Sequence, residues 1–485
     1  MRVEQARYHL AILPEHQGNP LIEALPVKLS DDELVDVLVF TPQCLPEERS
    51  LDAYERVEYL SRLQDLRQPQ PVHLDVFRAV EVAIKEGYSV KNPHSPTTMN
   101  YLHYSLDERP ETEPRTGFFK PKGTGITIIG ESGVGKTCML EQVLGYFPDV
   151  IVHQESTNGL MPLRQVVWLK VDCPGDSSVK GLCHRILEEL DRKQGLDRTT
   201  LPRTIEQLIS QIERRIKSSF LGILVIDEMQ NLNLAKAGGA DRLLGFLHNL
   251  VNSLGIPLLF CANPPFNELL SKSLKAARRA ESGGYFEVGL LDQKNGEWEL
   301  FVEELWELQW TDVITPLTLE LSHKLYDLSA GNMDLAVRIF RAAQQEIIGS
   351  LDERLTREVL EKGASIAIRA TAKARDELRH EQNLILLKEK KAKVSAEHLN
   401  EANVGSLKKT AVAASKGKFV QIPGDLSRPH HPEFADMLTA LQHADDLYEQ
   451  IPDPDLFQRA SEEDDPLDSL RKAGVFCEDP LKVFA

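Results

Sequence analysis

One stretch constrains the fold more than any other: residues 125–137, Gly-Ile-Thr-Ile-Ile-Gly-Glu-Ser-Gly-Val-Gly-Lys-Thr. An apolar strand pattern runs into a glycine-rich turn, and a helical pattern, Cys138 to Phe147, follows at once. The spacing G-x-x-x-x-G-K-[ST] is met by Gly130, Gly135, Lys136 and Thr137. Glycines let the backbone wrap so that the N–H groups of Glu131, Ser132, Gly133 and Val134 converge on phosphate oxygens, and the N-terminus of the next helix adds its positive dipole end. Lys136 would neutralise β- and γ-phosphates, and the Thr137 hydroxyl would ligate Mg²⁺. A chance match in a Gly-rich turn would not need the strand before it and the helix after it. Both flanks are present, so the expected ligand is a nucleoside triphosphate with Mg²⁺, taken as ATP.

A second signal points to hydrolysis. Ile223-Leu-Val-Ile226 forms an apolar strand ending in Asp227-Glu228, about 90 residues after the loop. At such a strand end Asp227 can hold Mg²⁺, and Glu228, one residue on, can polarise the attacking water. Paired acids elsewhere would more often be a solvated turn. The next apolar strand, Ile256 to Cys261, ends in Ala262-Asn263-Pro264, and Asn263 is the candidate to reach the γ-phosphate and the lytic water. The plainer reading makes it a cap for the turn into the prolines.

Around these motifs residues 116–292 alternate strand and helix, the signature of an α/β layer with a parallel sheet. Five strands are expected: the loop strand, Gln165 to Asp172, Gly222 to Asp227, Ile256 to Cys261, and Tyr285 to Leu290. Helical runs lie near Ser178 to Asp191, Thr204 to Ser218, Asp241 to Leu254 and Phe266 to Ser273. Residues 1–115 mix short helical patterns (Leu21 to Leu25, Asp32 to Val39, Leu51 to Leu66, Val72 to Lys85) with proline breaks, and read as an adaptor packed on the next domain. Residues 293–372 turn purely helical, a small bundle or lid. Residues 373–420 are a basic linker, with eight lysines against three glutamates between Lys388 and Lys418. Residues 421–485 hold 15 acidic against 5 basic side chains, so most of the chain's net charge of −18 sits in a tail suited to docking on partners.

With 42% apolar residues the composition is that of a globular protein, and the absence of long apolar runs or a signal-like start places it in the cytoplasm, with no membrane partner. Six dispersed cysteines without a C-x-x-C pair indicate neither disulfides nor zinc.

The order of phosphate loop, acidic strand end, strand-end Asn, the arginines Arg278 and Arg279 and a helical lid makes residues 116–370 resemble an AAA+ module. The resemblance narrows with Asn19-Pro-Leu-Ile-Glu-Ala-Leu-Pro26, Gly87-Tyr88 with Lys91-Asn92-Pro93, Leu224-Val-Ile-Asp-Glu-Met-Gln230-Asn-Leu232, Ala277-Arg278-Arg279, and Glu297-Trp298 leading to Leu305-Trp306-Glu-Leu-Gln309. Over residues 15–370 these are similar to TnsC, the AAA+ regulator of transposons that use a heteromeric transposase. That resemblance implies an ATPase forming rings or helical filaments around duplex DNA, loaded by a target-selection protein and activating transposase subunits. It also implies that Arg278 or Arg279 reaches a neighbouring subunit's ATP. DNA phosphates would be met by Arg164, Ser177, Ser178 and Lys180, with an ordinary helix cap as the plain reading of the serines. Where many AAA+ lids carry a sensor arginine, this chain has Gly331-Asn-Met-Asp334; Arg338 and Arg341 are the substitutes. The competing readings are another AAA+ class, such as a helicase loader or a STAND-like signalling ATPase, and a scaffold that binds ATP but scarcely hydrolyses it.

Overall fold

The computed structural model describes residues 1–95, 121–154, 162–174, 178–197, 204–231, 254–264 and 280–369, with positions 98, 202, 247, 250, 251 and 266 between them. Eight strands lie in these segments: β1 (Val3–Gln5), β2 (Gly125–Gly130), β3 (Val150–His153), β4 (Leu163–Val166), β5 (Trp168–Asp172), β6 (Ile223–Asp227), β7 (Leu258–Ala262) and β8 (Gly284–Val288). Five of them form a wholly parallel sheet in the order β5-β6-β7-β2-β8. The three inner strands are buried along their whole length, whereas β5 and β8 at the edges are only partly covered. That is why the inner strands read as unbroken apolar runs.

Side chains alternate between the two faces of the sheet. Along β6, Leu224 and Ile226 pack with Leu182, Leu187, Leu208 and Ile212 on one side. Ile223 and Val225 pack with Met139, Leu140 and Phe77 on the other. The helices Val179–Gln194 and Ile205–Ser219 cover the first face, and the loop helix Lys136–Tyr146 lies on the second.

The expected strand Gln165 to Asp172 is two strands. It breaks at Val167: β4 pairs antiparallel with β3, and β5 pairs with β6. A small second sheet, β1-β3-β4, results, in which β1 runs parallel to β3 with Val3 opposite Val150. β1 has no local signal, since its partner, β3, lies almost 150 residues away.

The N-terminal segment has no core of its own among the described residues. Leu21, Leu34, Leu38, Val76, Phe77 and Ile84 join the core on the loop-helix side of the sheet. Leu60, Leu63 and Leu66 instead pack with Trp298, Trp306, Trp310 and Phe340 of the C-terminal helices. Those helices are Glu297–Glu307, Leu319–Ser329, Met333–Ile347 and Arg357–Ala367. The last three open on Thr318, Asn332 and Thr356, whose side chains each accept an N–H of the first turn. The basic linker and acidic tail lie outside the described residues.

Tyr88 joins the N-terminal segment to the sheet. It is buried, and its hydroxyl donates to the Val166 carbonyl at 3.3 Å. Gly222 lies under that ring: a Cβ there would stand 2.3 Å from the Val167 carbonyl oxygen and 2.6 Å from the Tyr88 hydroxyl. The backbone oxygen cannot retreat without breaking the sheet, so Gly222→Ala is expected to cost about 1 to 3 kcal/mol. Thermal denaturation followed by circular dichroism should show the lowered midpoint.

Candidate nucleotide site

Three neighbouring strands, β6, β7 and β2, end side by side, and each delivers part of one cleft of about 800 Å³. Carboxyl ends of parallel strands are where open α/β sheets bind ligands. Strand β2 ends at Gly130 and hands over to the loop. Gly133 and Gly135 take φ of +84° and +92°, the left-handed region that glycine enters without a Cβ penalty. The loop helix then starts at Lys136 with its N-terminus turned to the cleft, and Ser132, Gly133, Gly135, Lys136 and Thr137 line the wall. Val134 is buried beneath them. The Lys136 ammonium donates to the carbonyls of Gly130 and Glu131, 2.7 Å each. Burial holds its pKa below the ordinary lysine value, against the opposing carboxylates of Asp227 and Glu228. A phosphate group would supply the counter-charge that burial asks for.

Asp227, at the end of β6, is buried. Its Oδ2 lies 3.4 Å from the Thr137 hydroxyl and 3.1 Å from the Lys170 ammonium on β5. Hydroxyl plus carboxylate is the hard-oxygen pair suited to Mg²⁺, which keeps its remaining positions for water and phosphate. Burial alone would depress the pKa of Lys170, but Asp227 and Asp172 outweigh it and raise the value. Burial and the adjacent Asp227 push the Cys261 thiol well up, so this cysteine stays a neutral donor beside the carboxylate.

Glu228 follows with φ of +58°, rare for a residue with a side chain. It is exposed into the cleft, which Asn263 also lines. The Asn263 backbone N–H donates to the Gln230 side chain at 3.1 Å.

The C-terminal helix Met333–Ile347 closes one side. Asn332 caps it by accepting the Leu335 N–H, and its amide nitrogen donates to the Ser132 carbonyl at 3.0 Å. The Asp334 N–H donates to the Gly133 carbonyl at 3.3 Å. The acid standing where a sensor arginine was sought therefore meets the loop through its backbone. Arg338 and Arg341 both line the cleft, and Arg338 pairs with Asp334 at 3.4 Å and donates to the Ala367 carbonyl.

The sequence-derived loop residues, Asp227, Glu228 and Asn263 thus converge. The DNA candidates do not. Arg164 is half-buried on β4, with its guanidinium donating to the Lys193 carbonyl at the C-terminal end of helix Val179–Gln194. Ser178 caps the other end by accepting the Gly181 N–H at 2.9 Å, and Lys180 is exposed there. A helix of 16 residues separates them by about 24 Å. Arg164 and Lys180 thus stand at opposite ends of that helix. Ser177, Arg278 and Arg279 lie outside the described residues.

Sequence reasoning gave no site role to Lys170, Cys261, Gln230 or Asn332. A lysine inside the apolar run Trp168-Leu-Lys-Val was a legible signal for the first. Gln230 and Asn332 become visible only when distant segments meet.

Residues 122–270 match the sequence family described as an AAA domain. This part of the chain is an AAA-type P-loop ATPase domain. No curated protein sequence matches the chain. Among solved structures, the ORC2 protein of Aeropyrum pernix in its ADP form is similar at 14% identity over 52% of this chain and 65% of that one, with a TM-score of 0.35. The match therefore spans just under two thirds of the ORC2 chain. Cdc6p of Pyrobaculum aerophilum is similar at 11% identity over 70% and 71% of the two chains, with a TM-score of 0.38. The Walker-type ATPase paby2304 of Pyrococcus abyssi gives 13% identity, 53% and 71% coverage, and a TM-score of 0.35. Among the described residues no helix is long and apolar enough to cross a membrane.

Proposed function

We propose that the chain is a Mg²⁺-dependent ATPase switch that oligomerises on duplex DNA and links a target-selection protein to transposase subunits. In the cleft, the loop N–H groups and Lys136 hold the phosphates. Thr137 and Asp227 would hold Mg²⁺, which supplies charge neutralisation on the β- and γ-phosphates. Glu228 takes a proton from the attacking water, and Asn263 orients that water or the γ-phosphate. Arg278 or Arg279 of a neighbouring copy completes the site, so that ATP holds an assembly together.

The observation that carries the transposition reading is where the TnsC-like segments lie. Leu21, Ile22 and Leu25, Lys91 and Gln309, all within those segments, lie where the N-terminal segment meets the ATPase core and the C-terminal helices. The Asn19 amide donates to the Tyr88 carbonyl at 2.8 Å, and the buried Lys91 ammonium to the Gly255 carbonyl at 2.8 Å. Trp306 and Gln309 both donate to the Thr315 carbonyl, and the Gln309 carbonyl accepts from Arg49. Residues specific to that resemblance thus build the arrangement that distinguishes this chain from a bare P-loop domain.

Electron microscopy of the full chain with duplex DNA and a slowly hydrolysed ATP analogue is the test. Rings or filaments enclosing the duplex are expected, weakening as salt rises because the contacts are to phosphates. Failure to assemble on DNA in any nucleotide state would overturn the reading and favour a loader or signalling ATPase. Lys136→Ala is expected to abolish ATP binding and, with it, nucleotide-dependent assembly, both measurable by fluorescent-nucleotide titration and mass photometry.

A further inference from the structure

Gln230 stands two residues beyond the hydrolytic glutamate, half-buried between two strand ends, and none of the roles above uses it. Its amide nitrogen donates to the Glu228 carboxylate. Its amide oxygen accepts the Asn263 N–H at 3.1 Å. The side chain therefore spans the carboxyl ends of β6 and β7, joining the glutamate to the backbone of the strand-end asparagine.

The orientation of that amide is fixed by chemistry. An N–H can only donate and an ionised carboxylate can only accept, so one orientation satisfies both partners and the flipped one satisfies neither. Glu228 needs such a hold. Its backbone sits in the left-handed region, disfavoured for a residue with a side chain, and is anchored by its own N–H donating to Asp227 Oδ1 at 2.9 Å. This fixes the main chain and leaves the exposed side chain free to turn. Among the described residues, Gln230 is the hydrogen-bond partner of the carboxylate.

We propose that Gln230 is a positioning residue for ATP hydrolysis, an amide that aims the Glu228 carboxylate from the end of β7. The inference rests on the ATPase reading of the cleft. Its consequence is that Asn263 acts twice: the residue lines the cleft, and its backbone N–H sets the amide that orients the base. A shift of the β7 end on phosphate binding is passed to Glu228 through one side chain.

The test compares single-turnover ATP hydrolysis and ATP binding for the full chain with Mg²⁺ and duplex DNA. Gln230→Ala and Gln230→Glu are each made alone and in the Glu228→Gln background. Gln230→Ala is expected to lower kcat about tenfold to a hundredfold, the scale on which misaligned catalytic groups lose rate, with KM unchanged. Gln230→Glu keeps an oxygen for the Asn263 N–H but sets a like charge against Glu228, and is expected to lose at least as much. In the Glu228→Gln background neither change should lower the residual rate further, and thermal midpoints should match the parent. The assignment is overturned if Gln230→Glu turns over like the parent, because then only the Asn263 contact matters. It is equally overturned if the losses add in full to that of Glu228→Gln, or appear in KM alone. If the unaltered chain hydrolyses no ATP, the ATPase reading itself has failed. If it hydrolyses ATP and both Gln230 variants match it, only the role of Gln230 has.

Discussion

Glu228→Gln is expected to cut ATP turnover by about a hundredfold to ten-thousandfold, the range supplied by a positioned general base, while ATP still binds. The amide is nearly the same size, so the cleft keeps its shape, and the donors that hold the phosphates are untouched. What is lost is the acceptor for the water's proton. Because hydrolysis would release the assembly, the variant should stay on DNA longer than the parent. Dissociation from labelled duplex after ATP is chased away, measured beside phosphate release, checks both halves. Unchanged turnover would favour the scaffold reading, in which the site binds ATP without using it.

The largest stability effect is expected at Glu353. Its carboxylate is buried between the C-terminal helical region and the N-terminal segment, where Arg56 donates to it from two nitrogens at 2.5 and 2.8 Å. The N–H groups of Asp312 and Gly349 add two more bonds at 2.6 Å each. Burial alone would raise its pKa, but these donors outweigh burial and hold it at about 2. Breaking a buried pair from one side costs about 3 to 5 kcal/mol, because a desolvated charge is left behind. Glu353→Ala and Arg56→Ala should both fall in that range: the guanidinium left by the first keeps the Leu51 and Trp310 carbonyls, and the carboxylate left by the second keeps the Asp312 and Gly349 N–H groups. Urea titrations of the two variants check both losses.

The same pair sets an acid limit. The folded pKa is depressed, so the stabilisation is complete above the ordinary glutamate range. It is lost as pH falls from about 4.3 toward about 2. Urea midpoints taken across that window should fall faster for the parent than for Glu353→Ala, which has no such carboxylate to protonate.

Much of the site was legible because its parts are local. The loop spacing from Gly130 to Thr137, and Asp227-Glu228 at the end of an apolar run, each carry their meaning within a dozen residues. The strands were legible for the same reason: the inner ones are buried on both faces and so must be apolar throughout. What local pattern does not carry is long-range pairing. β1 pairs with β3 across almost 150 residues, and the Arg164 guanidinium meets the Lys193 carbonyl, 29 residues on.

By itself, then, the sequence determined that a P-loop ATPase sheet forms and which residues line its phosphate end, since period, spacing and strand-end chemistry are properties of short segments. Only the tertiary structure decided that the described part of the N-terminal segment has no separate core, that Arg56 and Glu353 pin it to the C-terminal helical region, and that Gln230 stands between Glu228 and β7. Those are contacts between segments distant along the chain. Their existence depends on how the sheet, C-terminal helices and N-terminal segment come together, which no local pattern records.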